Sequence, residues 1–192
     1  MLWRKDCLRS PCNTMEIINP QQLAEEGQAE YNRANYLEAA RLYKAAADGY
    51  SSSGEQLTAA EMANNCSVAY LKGGNAKASL ETVIGTDLIF AENGDILRQA
   101  MAVGNQAAAL EGLNQLDNAI SLYNRSAELL GGLGEAELRA YVLQAVSAIE
   151  LRRGQFLEAY TTMGEGVMGL DKPNLSQRLL KSLIQLPFKF IR

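Results

Sequence analysis

The segments NYLEAA, NAKASL, LDNAIS and FLEAYT place a small residue, Ala39, Ser79, Ala119 and Ala159, at a constant interval of 40 residues. No other feature constrains the fold as much, because a repeat of this length means stacked copies of one supersecondary unit. Further columns recur around that anchor. Four residues later stand Tyr43, Val83, Tyr123 and Met163, and eleven later Tyr50, Phe90, Leu130 and Leu170, all large. Three residues earlier come Tyr36, Ala76, Leu116 and Phe156, and twelve earlier the small Gly27, Ser67, Ala107 and Ser147. Five residues earlier come Ala34, Gly74, Asn114 and Gly154, mostly turn formers. Separations of 3, 4, 7 and 11 put such anchors on one stripe of a helix. Small residues let two helix backbones approach, and large ones fill the space to the next pair.

Each repeat is therefore predicted to be two antiparallel helices joined at its Gly or Asn. The pattern predicts helices over 20–33 and 36–51, 55–72 and 76–91, 95–112 and 116–130, 135–153 and 156–169. Alanine and leucine richness supports them, and no proline lies between Pro20 and Pro173. The fold class is all-α, with each repeat touching its neighbours.

Composition excludes several functions. The 192 residues suit one domain, and their net charge of −4 argues against nucleic acid as a partner. Residues 1–15 carry +2 and residues 171–192 carry +4, which leaves −10 on the body between them. Histidine is absent, and with it the commonest general base and neutral metal ligand. Three cysteines, Cys7, Cys12 and Cys66, complete neither a disulfide framework nor a four-thiolate zinc site. Cys66 reads as a small buried residue. GLGEAELRA lacks the Lys-Ser/Thr of a phosphate loop and reads as an inter-repeat turn. Glu25, Glu26 and Glu30 read as a solvated helix face. The expectation is a protein without enzyme activity, cofactor or metal. No apolar run approaches the ~18 residues of a membrane span. The start, MLWRKDCLRSPC, lacks a signal-peptide core, so a cytoplasmic setting is expected.

The columns resemble the tetratricopeptide repeat (TPR) family. GQAEYNRANYLEAARLYKAA is closest to its helix-turn-helix, followed by NQAAALEGLNQLDNAISLYNRSAELL and LRRGQFLEAYTTM, with NAKASLETV the weakest. The period departs from the usual 34 and is similar to longer variants such as those of kinesin light chains. The resemblance implies a right-handed α-α superhelix of four repeats, in which first helices line a concave face that binds a peptide or helix. It implies an adaptor or scaffold with a protein partner. In that family an Asn near the middle of the first helix often grips the peptide backbone; the matching positions are Glu25, Asn65, Asn105 and Ala145, with Asn64 one register away. An amide offers both a donor and an acceptor, so Asn65 and Asn105 suit that role or a hydrogen bond between helices. Periodicity adds Gln28, Tyr31, Lys72, Met101, Glu111, Tyr141, Gln144 and Arg152 to the face. The basic cluster that holds chaperone carboxylates in this family is not matched at Ala24, Met101 and Asn105.

Three segments are expected: 1–14 as an extension or arm, 15–170 as the repeat domain, and 171–192 as an amphipathic basic helix and tail. Met15 opens MEIINPQQLAEEG and reads as a natural start. In DKPNLSQRLLKSLIQLPFKFIR, Leu175, Leu179, Leu180, Leu183 and Ile184 form a stripe, Asn174 suits a cap, and Pro187 a stop. Three readings are open: a capping helix over the last apolar face, attachment of residues 173–192 to a membrane surface, or docking to a partner or a second copy as a homo-oligomer.

Overall fold

The computed structural model describes residues 19–170 together with Arg178. The described residues are helical, without strands. The helices are α1 (Pro20–Asn32), α2 (Tyr36–Ser52), α3 (Gln56–Lys72), α4 (Ala76–Val83), α5 (Thr86–Glu92), α6 (Ile96–Gly112), α7 (Leu116–Leu133), α8 (Ala136–Arg152) and α9 (Phe156–Met168). Segments 1–14 and 171–192 lie outside the described residues apart from Arg178, which is helical and exposed.

From Tyr36 onward a helix begins every 20 residues, with α4 and α5 sharing one place in the series. The 40-residue repeat thus consists of two half-repeats ended by the same corner. Ala34, Gly54, Gly74, Gly94, Asn114, Gly134 and Gly154 all have left-handed backbones, with φ between 59° and 86°. The N–H of the following residue closes each corner onto the carbonyl five back: Asn35 on Glu30, Glu55 on Tyr50, Asn75 on Tyr70, Asp95 on Phe90, Gln115 on Leu110, Glu135 on Leu130 and Gln155 on Glu150, at 2.9–3.0 Å. This is the Schellman closure of a helix C-terminus. That same following residue starts the next helix. Asn75 Oδ1 accepts from Ala78 N at 3.1 Å, and Asp95 Oδ1 from Arg98 N at 2.9 Å. A three-residue corner of this kind forces consecutive helices to run antiparallel in contact.

The sequence columns become the contacts. Ala39, Ser79, Ala119 and Ala159 are buried, as are Gly27, Ser67, Ala107 and Ser147. The two sets face each other: Ser67 Oγ lies 2.8 Å from Ser79 Oγ, and Ser147 Oγ donates to Ala159 O at 2.9 Å. A Cβ on Gly27 would stand 3.1 Å from the Tyr43 ring. Of the large columns, Tyr43, Val83, Tyr123, Phe90, Leu130 and Leu170 are buried and Tyr50 and Met163 half-buried; Phe156, three residues before its anchor, is exposed. Apolar clusters follow the chain from α1–α3, through α3, α5 and α6, to α6–α8. Each helix packs on its neighbours in the series. Among the described residues no helix is long and apolar enough to cross a membrane.

One expectation fails. The continuous helix over 76–91 is broken at Ile84, which is extended (φ −57°, ψ 129°), and Gly85, which is left-handed (φ 86°). Val83 and Ile84 are β-branched and weak in helices, and Gly85 costs more, so this is the least helical stretch of the repeat. Thr86 Oγ1 donates to Val83 O at 2.8 Å, satisfying a carbonyl at the break. The break preserves register: Thr86, Asp87 and Phe90 are buried, like Ser126, Ala127 and Leu130 one repeat later.

Candidate interaction face

Side chains about 40 residues apart link first helices of successive repeats, α3 to α6 and α6 to α8. Arg98 Nη1 pairs with Glu61 Oε2 at 2.9 Å, and Asn105 Nδ2 donates to Asn64 Oδ1 at 3.1 Å, both joining α6 to α3. Arg152 pairs with Glu111, joining α8 to α6. Glu111 also accepts the Tyr123 hydroxyl at 3.0 Å. Burial first, then the Glu111 charge, pushes the Tyr123 phenol well above its ordinary value.

The nine site residues anticipated from sequence therefore fall into two sets. Asn105, Glu111 and Arg152 bond between helices. Asn64, the residue one register away, is the partner of Asn105; its Nδ2 also reaches Ala60 O at 2.9 Å and Thr86 Oγ1 at 3.0 Å. This amide cluster lies against the broken helix, where Gln106 Nε2 donates to the buried Asp87 at 2.8 Å and Arg125 stands 3.6 Å from it. A polar group so placed needs partners to offset its lost hydration.

Gln28, Tyr31 and Asn65 are brought together. With Tyr43 and Val68 they line a shallow groove of about 190 Å³ between α1 and α3. Gln28 Oε1 accepts the Tyr43 hydroxyl at 3.0 Å, and its Nε2 donates to Asn32. Tyr31 meets the ring of Tyr36 edge-on, with centroids 5.3 Å apart. Asn65 is half-buried in this groove. Tyr141, Gln144 and Lys72 are exposed, Tyr141 by 74 %. Met101, at the place on α6 that Tyr141 takes on α8, is 49 % exposed.

The bonds of Arg98, Glu61 and Asn64 escaped the sequence reading. Asn64–Asn105 shares a lateral spacing of 41 residues with Glu111–Arg152, whereas Arg98 and Glu61 are 37 residues apart and carry no such signal. Among the described residues no group of His, Cys, Asp or Glu is arranged to hold a metal. Cys66 is buried, and burial raises its thiol to about 11. No protein-family model and no curated protein matches the chain.

Proposed function

We propose that the chain is a TPR-like interaction scaffold, stacked as a right-handed superhelix, which binds an extended peptide or helix across its first helices. One observation carries this reading. Lateral bonds tie Asn105, Glu111 and Arg152 to neighbouring helices, whereas Tyr31, Asn65, Met101, Tyr141 and Gln144 present amides, rings and a thioether to a partner. Amides satisfy peptide units without reading sequence, and Tyr supplies area at low entropic cost. Neighbouring first helices, held in fixed relative positions by Asn64–Asn105 and Glu111–Arg152, form a preorganised platform.

The test is a peptide array probed with the full chain and with Asn65→Ala/Tyr141→Ala. The reading expects captured peptides whose binding weakens ~10-fold or more in the double variant while its far-UV dichroism stays that of the parent. Capture that ignores both substitutions, or no capture at all, overturns it.

A further inference from the structure

Among the described residues, the second helix of the second repeat alone is broken, and its two pieces are fastened to different neighbours. Ser79 Oγ of α4 lies 2.8 Å from Ser67 Oγ of α3. Asp87 of α5 accepts from Gln106 of α6 at 2.8 Å and stands 3.6 Å from Arg125 of α7. The helix before the break is thus tied to the helices that precede it, and the one after it to those that follow. Between them lie the extended Ile84 and the left-handed Gly85. A Cβ on Gly85 would meet nothing within 4 Å, so no neighbour packs against the joint at that point.

The contacts across this joint differ from those on either side. Buried apolar side chains run through α1–α3 at Tyr43, Met62 and Cys66, and through α6–α8 at Tyr123, Leu130 and Val146. The cluster at the joint has Ala60, Phe90 and Ala102 as its buried members. α4 also meets α6 through small residues: a Cβ on Gly112 would stand 2.8 Å from that of Ala76. The side-chain bonds that join α3 to α5 and α6 are polar. They are Glu61–Arg98 at 2.9 Å, Asn64–Asn105 at 3.1 Å and Asn64–Thr86 at 3.0 Å. The Glu61 and Arg98 side chains are 46 % and 35 % exposed, and a pair so wet holds weakly. The amide bonds can be exchanged for bonds to water at small net cost. Less apolar area is lost by parting the array here than at its other junctions.

We infer that Ile84–Gly85 is a latched hinge between two blocks, α1–α4 and α5–α9. Glu61, Asn64, Arg98 and Asn105 are the latch. While they are bonded, α3 and α6 form one continuous surface; on their release the blocks rotate and the first-helix face opens between α3 and α6. The hinge stands whatever that face binds, and its test uses no ligand.

Double electron–electron resonance on the full chain reads the rotation. Cys7, Cys12 and Cys66 are first replaced by serine, whose hydroxyl keeps the Cys66 bond to Ala40 O. Spin labels on the exposed positions Gln22 and Ser121 report across the hinge, and Gln22 with Lys77, or Ser121 with Glu158, report within a block. Glu61→Ala/Asn64→Ala should widen the Gln22–Ser121 distance distribution ~2-fold or more and leave both within-block distributions as in the parent. Arg152→Ala cuts the lateral bond of the next junction, where α7 is continuous, and should leave Ser121–Glu158 unchanged. A Gln22–Ser121 distribution no wider without the latch, or an equal widening of Ser121–Glu158 in Arg152→Ala, overturns the inference. Amide exchange separates rotation from melting. In Glu61→Ala/Asn64→Ala the α5 amides should exchange ~10-fold or more slower than an unstructured chain, and exchange at the unstructured rate overturns the hinge in favour of local unfolding.

Discussion

Replacing Gly154 with alanine should destabilise the protein, and replacing Gly132 with alanine should stabilise it. An added Cβ meets nothing within 4 Å at either position, so packing contributes to neither outcome. The backbone decides. Gly132 lies inside α7, where alanine is favoured over glycine by ~0.5–1 kcal/mol. Gly154 is a corner with φ 74°, and an L-residue there costs ~1–2 kcal/mol. The stiffer unfolded chain returns ~0.4–1 kcal/mol of that. The net expectation is a loss of ~0.5–1 kcal/mol for Gly154→Ala against a gain of similar size for Gly132→Ala. Ala34, the one alanine among the corners at φ 62°, supplies the reverse experiment: Ala34→Gly should stabilise by ~0.5–1 kcal/mol. Urea unfolding followed by helical dichroism at 222 nm resolves such differences, which correspond to ~1–4 °C in Tm for a chain of this size. If Gly154→Ala stabilised as much as Gly132→Ala, the left-handed corner would not exist at 154, and the 20-residue series would lose its physical basis.

Other outcomes follow from the packing. Ala119 is fully buried in the small-residue seam, so Ala119→Leu should cost ~1–3 kcal/mol through overpacking, visible as a lowered thermal midpoint. Glu111→Leu leaves the Tyr123 hydroxyl and the Arg152 guanidinium without their shared acceptor; urea titration should show a loss of ~1–2 kcal/mol, mostly from the buried phenol, because Arg152 is half in water. The Cys66 thiol, raised by burial from about 9 to about 11, contributes stability that is fully present below pH 9 and declines as pH rises toward 11. Cys66→Ser should flatten that part of the alkaline decline in a series of melts, and an unchanged slope would refute the assignment.

The helical series was legible because its determinants are local. Ala34, Gly74, Asn114 and Gly154 mark their corners, and the seam residues recur beside them at fixed distances. Gly134 lies in GLGEAELRA, which reads as an inter-repeat turn, and Gly54 and Gly94 carried an equal signal that a reading anchored on one corner per repeat passes over. The break at Gly85 was hidden for a different reason. Thr86, Asp87 and Phe90 keep the burial pattern of an unbroken helix, so periodicity is blind to it; only the run Val83, Ile84, Gly85 betrays a weak point. The face was harder still. Neighbouring residues on a helix are turned ~100° from each other, so a shift of one residue separates Asn64, which bonds Asn105, from Asn65, which lines the α1–α3 groove. Whether Glu111 and Arg152 meet a partner or each other depends on how two helices 41 residues apart are set side by side. Helical periodicity orders residues around one axis and says nothing of the distance to the next.

The uniform corner has a consequence for the chain's history and its engineering. Two cuts made 40 residues apart, at equivalent corners, expose ends of matching shape and direction. Excision or duplication of such a block rejoins them without a new linker, so variants of this protein differing by whole blocks should fold, while inserting one or two residues inside a helix, ~100° of turn each, would carry its buried stripe away from the core.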